Sequence, residues 1–145
     1  MVRVLLADDE PIIRNGLRDD VDWSSLDMDV VAVAADGREA LALFETERPQ
    51  LVLTDIRMPK LDGLDFIAQV RASQPETVCL VISGHEEFSL AHKALQLGVR
   101  DYILKPINLQ SLHQTLQDVR DVIAGSKPAA PDKESVRVRV RHLLE

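Results

Sequence analysis

Short apolar runs alternate along this chain with longer stretches whose apolar residues recur every three or four positions. The runs Val2–Ala7, Val30–Ala34, Leu51–Thr54, Val78–Ile82 and Asp101–Leu104 are brief and rich in Val, Leu and Ile. That pattern suits parallel strands covered on both faces. Pro11 fits the first turn of a helix that runs on through Ile13, Leu17 and Val21. Asp36-Gly37 opens a second helix carrying Ala40, Leu41 and Phe44, stopped near Pro49. Asp62-Gly63 opens a third with Leu64, Ile67 and Val70, ending before Pro75. Glu86 to Leu97 makes a fourth, with Gly98 as its C-cap. Asn108 caps a fifth, whose apolar stripe is Leu109, Leu112, Leu116, Val119 and Ile123.

This order is (βα)5. Strict alternation implies an α/β fold with a parallel sheet, right-handed crossovers and helices on both faces. Five strands in so small a unit suit a flavodoxin-like three-layer sandwich with sheet order 2-1-3-4-5. The pattern breaks after Ile123. Gly125, Ser126, Pro128 and Pro131 mark residues 125–135 as a linker. Residues 136–145 begin a further segment, whose spacing fits a strand or a helix equally. No internal repeat is present.

Charge appears where the runs stop. Asp8-Asp9-Glu10 closes the first, Asp55 the third, Ser83 follows the fourth and Lys105 the fifth. In a parallel sheet those ends share one rim, where ligands of open α/β folds bind. Carboxylates from two strands facing an ammonium from a third describe a site for Mg²⁺ and a phosphoryl group. Mg²⁺ keeps several waters and takes one or two carboxylates plus phosphate oxygens, and a divalent cation makes three crowded carboxylates tolerable. Asp55 is then a ligand or an in-line nucleophile, with Lys105 and Ser83 as donors to the phosphoryl oxygens. Blander readings stand beside these. The acidic triplet also suits a solvated turn with Asp9 capping the first helix, Lys105 an ordinary strand-end lysine, and Ser83-Gly84 plain turn chemistry.

Composition narrows the class. At 145 residues and 46% apolar, the chain holds one domain with a full aliphatic core. No stretch approaches the roughly 18 apolar residues that cross a bilayer, and the N-terminus lacks a secretory pattern, so a cytoplasmic protein is expected. Cys79 lies in an apolar run and is expected to be an inert core thiol. Of 17 basic and 24 acidic groups, residues 126–145 hold five and three. The remaining 12 and 21 leave the first 125 residues at −9. So acidic a body repels nucleic acid and excludes direct DNA contact by this domain.

In combination, Asp-Asp-Glu-Pro at 8–11, Asp-Ile-Arg-Met-Pro at 55–59 with Asp62-Gly63, Ser-Gly-His at 83–85 and Tyr-Ile-Leu-Lys-Pro at 102–106 are specific. The chain resembles the receiver domain of two-component response regulators over residues 1–124. The resemblance implies that Asp55 accepts a phosphoryl group from a sensor histidine kinase. It makes Asp8, Asp9, Asp55 and the Arg57 carbonyl the Mg²⁺ ligands, Ser83 and Lys105 the groups that turn to the phosphoryl, and Tyr102 the switch residue. Pro106 would follow a cis peptide bond. Gly84, where many receivers have alanine, widens access to the phosphoryl group, and Arg57 and His85 flank the water path that tunes its lifetime. The implied outcome is homodimerisation through helix 4, strand 5 and helix 5.

Around Trp23, Val30–Gly37 and Ser83–Phe88 the chain looks like receivers that precede AraC-type DNA-binding domains. No helix-turn-helix follows, so the expected transcriptional output domain is missing. A stand-alone regulator acting by protein–protein interaction is the alternative. A haloacid-dehalogenase-type phosphatase would need an aspartate at position 57, which is Arg57, and a degenerate receiver would lack one of the residues above.

Overall fold

The computed structural model describes residues 1–84 and 88–125, the side chain of Phe88 excepted. The expectations for His85, for Glu86 and Glu87 at the start of helix 4, for the linker beyond Gly125 and for the tail therefore lie outside the described residues. Five strands, β1 (Val2–Ala7), β2 (Met28–Ala34), β3 (Leu51–Asp55), β4 (Val78–Ser83) and β5 (Asp101–Leu104), alternate with five helices. These are α1 (Pro11–Asp19), α2 (Gly37–Glu47), α3 (Gly63–Ser73), α4 (Phe88–Gln96) and α5 (Leu109–Ile123). All pairings are parallel and the sheet order is β2-β1-β3-β4-β5. The flavodoxin-like arrangement is thus as expected.

Alternate residues of the strands feed two cores. Leu5, Ala7, Val52, Cys79 and Val81 join Ala40 and Phe44 of α2, Phe66, Ile67 and Val70 of α3, and Ala91 and Ala94 of α4. Val4, Leu6, Leu51, Leu53, Leu80 and Ile82 join Leu17 of α1 and Leu112, Leu116, Val119 and Val122 of α5. Burying each large side chain contributes roughly 1.5–3 kcal/mol, which holds the three layers together and leaves the strand ends to the loops. Cys79 is one of these core residues, and burial pushes its thiol up to about 12. Such a thiol stays protonated and inert.

The caps follow sequence chemistry. Asp36 accepts the Glu39 N–H at 2.8 Å while Glu39 reaches back to the Ala35 N–H at 3.1 Å, a reciprocal arrangement close to a capping box. Asp62 accepts the Leu64 N–H and Asn108 the Ser111 N–H. Gly98, at φ +82°, follows α4 as its C-cap.

Several details differ from expectation. Strand β2 starts two residues early, at Met28, and bulges opposite Val4/Leu5. Helix α1 ends at Asp19, so Val21 reaches the core from the following turn rather than from the helix. The N-cap of α1 is Glu10, not Asp9, and its side chain makes no capping bond. On α5, Leu109 is exposed and Val122 takes the buried place at the end of the stripe.

Candidate functional site

The strand ends converge as the topology requires. Asp55 is the last residue of β3, Ser83 the last of β4, and Tyr102 lies within β5, two residues short of its end. Asp8 prolongs β1 by one backbone bond, donating its N–H to Ala34 O at 3.1 Å. Lys105, just after β5, extends its ammonium across the rim. Its Nζ lies 3.0 Å from Asp55 Oδ2, 3.0 Å from Asp8 Oδ2 and 2.9 Å from Glu10 Oε2. The reach spans three non-adjacent chain segments, so Lys105 is no ordinary solvated lysine.

The two aspartates at the base are buried, whereas Asp9 is exposed. Asp55 Oδ1 accepts the Ile56 N–H at 2.7 Å, and Asp8 Oδ1 accepts the Glu10 N–H at 2.8 Å. The Asp8 carbonyl accepts from Arg14 of α1 at 3.0 Å, which ties the β1–α1 turn to its helix. Burial pushes the Asp8 carboxyl above the usual carboxylate range, and the nearby Asp55 charge adds to the rise. Burial alone would lower the Lys105 pKa. Its contacts with Glu10, Asp55 and Asp8 outweigh that and hold it well above the usual lysine value.

Asp8, Asp9 and Asp55 each offer an oxygen within 4.8 Å of the others. Asp8 Oδ2 is buried and accepts no hydrogen bond, its contact with Lys105 being an ion pair rather than a directed bond. A buried, ionised oxygen without a hydrogen bond is costly. A hard cation with oxygen ligands is what this donor set fits.

The remaining residues are placed as follows. Ser83 is fully buried at the end of β4. Tyr102 is also buried and joins the core cluster that contains Ala91, Ala94 and Val99. Arg57 is exposed, two residues beyond Asp55. The Lys105–Pro106 peptide is cis, as the resemblance implied. A Cβ on Gly84 would sit 4.0 Å from Lys105 Cδ, in ordinary contact. Sequence reasoning missed Glu10 as a partner of Lys105. Its only signal was a third acidic residue after the aspartate pair.

The loop from β3 to α3 is braced from two sides. Gly63 donates to Ile56 O at 2.6 Å, and Gly37 at the start of α2 donates to Pro59 O at 3.3 Å. Lys60 Nζ lies 3.6 Å from Asp36 Oδ2.

The chain is similar to known proteins over most of its length. The family model described as "Response regulator receiver domain" matches residues 4–117. The uncharacterized transcriptional regulatory protein YesN of Bacillus subtilis is 39% identical over 119 residues, which is 82% of this chain and 32% of that protein. The chain thus spans about a third of that relative's length. The REC domain of AraT, a response regulator from Geobacillus stearothermophilus, superposes with a TM-score of 0.82 at 41% identity, covering 86% of this chain and 97% of that one. CheY from Borrelia burgdorferi, solved in a CheX-CheY-BeF3-Mg+2 complex, matches at TM-score 0.74 and 25% identity, over 81% of this chain and 88% of that chain. With its fold, its rim of carboxylates and its lysine agreeing with a match over most of its length, this chain belongs to the receiver domains of response regulators.

Proposed function

We propose that the chain is a phosphorylation-dependent signalling receiver: Asp55 takes a phosphoryl group from the phosphohistidine of a sensor histidine kinase. The observation that carries this reading is the placing of Lys105 Nζ at 3.0 Å from both Asp55 Oδ2 and Asp8 Oδ2, beside three clustered carboxylates. A bond forms between an Asp55 carboxylate oxygen and phosphorus as the bond from phosphorus to the histidine nitrogen breaks. Asp8, Asp9 and Asp55, with the Arg57 carbonyl, would hold Mg²⁺, which when bound neutralises charge on the phosphoryl oxygens. Lys105 supplies a further fixed positive charge, and the Ser83 hydroxyl is a donor. The Borrelia CheY complex, with BeF3 and Mg²⁺, supports the ligand chemistry.

Chemistry is confined to the chain's own phosphorylation and dephosphorylation, with Gly84 leaving access to the phosphoryl group and Arg57 beside the path of the attacking water. The aspartyl phosphate brings nearly two negative charges and three acceptor oxygens. Ser83 and Lys105 turn toward it, and Tyr102 repacks, biasing a two-state surface made by α4, β5 and α5. A full population swing needs about 5 kcal/mol, which a few charge-assisted bonds at roughly 1.5–3 kcal/mol each can supply. The consequence is homodimerisation through that surface to control an output domain. The names of the relatives favour a transcriptional output. The setting is cytoplasmic, and among the described residues no helix is long and apolar enough to cross a membrane.

Incubation with acetyl phosphate and Mg²⁺, followed by intact mass measurement, tests the core claim. One added phosphate is expected on the wild type and none on Asp55→Asn; equal labelling of both removes the reading. Sedimentation with and without beryllofluoride tests dimerisation, and a monomer in both states removes that step.

A further inference from the structure

We propose that Glu10 is a holding partner for the Lys105 ammonium, keeping one contact for that cation outside the carboxylates that face a divalent ion. The inference rests on the metal-assisted reading of the same rim. Lys105 Nζ meets three oxygens at 2.9–3.0 Å, of which two belong to Asp8 and Asp55. Those two are also in the cluster suited to a cation, and Glu10 is not.

Glu10 is built into this position. Its backbone N–H is fixed by Asp8 Oδ1 at 2.8 Å. It stands at the N-cap of α1, where the helix dipole favours negative charge beside the free N–H groups. Here the side chain forgoes the cap and reaches a residue 95 positions later. Two cations then contest the same oxygens. A divalent ion on Asp8 and Asp55 would leave the Lys105 ammonium, whose side chain is only 12% exposed, beside like charge with its acceptors taken. Glu10 supplies an acceptor that the ion does not claim, so the lysine swings onto it and stays paired. Without Glu10 the ammonium holds Asp8 and Asp55 more tightly, and the ion binds more weakly.

Calorimetric titration of the full chain with Mg²⁺ alone tests this in a double-mutant cycle of Glu10→Gln and Lys105→Met. Glu10 is more than half exposed, so the effect is on the scale of a surface pair. Glu10→Gln is expected to weaken Mg²⁺ binding about two- to fivefold when Lys105 is present, and clearly less when it is methionine. Equal weakening in both backgrounds means a simple field effect and overturns the proposal, as does no weakening at all. Should Lys105→Met fail to fold, Glu10→Asp decides. It keeps the charge but withdraws the carboxylate, so weakening like that of Glu10→Gln supports the contact and wild-type affinity overturns it. A wild type that binds no Mg²⁺ overturns the underlying metal reading as well, whereas binding with no coupling sinks only the role of Glu10.

Discussion

The α-carbon of Gly63 lies directly against the peptide of Asp55: a Cβ added there would stand 1.9 Å from the Asp55 carbonyl oxygen and 2.9 Å from Ile56 Cα. The first residue of α3 and the candidate phosphoacceptor are therefore one packing unit. Helix α3 can begin where it does because its first residue lacks a side chain, and the Gly63 N–H bond to Ile56 O closes the loop over the strand end.

Gly63→Ala cannot be relieved by a rotamer change, since the obstacle is backbone. The end of β3 or the start of α3 must shift. A loss of about 1–3 kcal/mol or more is expected in urea denaturation, together with slower labelling by acetyl phosphate. Gly84→Ala is the matched control. Among the described residues its added methyl meets the Lys105 stem at 4.0 Å, so stability should stay within about 0.5 kcal/mol. An alanine at 63 as harmless as one at 84 contradicts the packing argument.

Asp8 predicts a pH dependence. Its carboxyl is raised above the ordinary 3.8 by burial and by Asp55, so ionisation opposes folding. The stability tied to its protonated form is complete below pH about 3.8. It is lost as pH rises through the higher folded-state value. In metal-free protein, Asp8→Asn should therefore gain on the wild type as pH rises from about 4 to 7 in denaturant melts. Added Mg²⁺ should reverse the order by stabilising the wild type. Free ion at a hundred times its Kd is worth about 2.7 kcal/mol. A variant that loses ground with rising pH would show that Asp8 is not penalised by burial.

Lys105 works in the opposite sense. Removing it by Lys105→Met strands Asp8 and Asp55 without their cation, at a cost of about 3 kcal/mol in metal-free protein. The lysine's pKa is raised, so its stabilisation is complete below the ordinary 10.5 and fades only as pH climbs through the folded value. The deficit of the variant should hold steady between pH 7 and 9. Mg²⁺ should repair much of it, and bind the variant more tightly than the wild type, because no ammonium competes for Asp8 and Asp55. Weaker Mg²⁺ binding by Lys105→Met would contradict competition at those oxygens.

Much of this was legible in the sequence because buried parallel strands leave a continuous apolar run. β3 is buried at every residue through Asp55, and its run stands out plainly. β2 was harder, since it is an edge strand whose exposed Asp29 interrupts the apolar run after Met28. Val21 keeps helical spacing with Leu17, yet periodicity says nothing about where the chain leaves the helix. The polar strand ends named Asp8, Asp55, Ser83 and Lys105 because topology gathers strand ends on one rim. Glu10 escaped, since its contact with Lys105 joins residues 95 apart and exposed acids follow no spacing rule. Gly37 and Gly63 read as helix openers. Their approach to Leu61 and Asp55 is a tertiary fact that no local pattern carries.

Trp23, the chain's single tryptophan, offers a probe that separates folding from the rim. It is buried in the α1/α5 core, and its Nε1 donates to Leu17 O at 2.9 Å. It follows the far end of α1, whose nine residues span about 13 Å. Asp8 and Asp9 precede the near end. Mg²⁺ should therefore leave Trp23 emission in the native state almost unchanged, while raising the temperature at which that emission collapses on melting. Trp23→Phe should cost about 1 kcal/mol through the lost hydrogen bond, with Mg²⁺ affinity intact. A large native-state change in Trp23 emission on adding Mg²⁺ would mean that α1 moves as a whole when the rim is filled, and that the two ends of the helix are coupled.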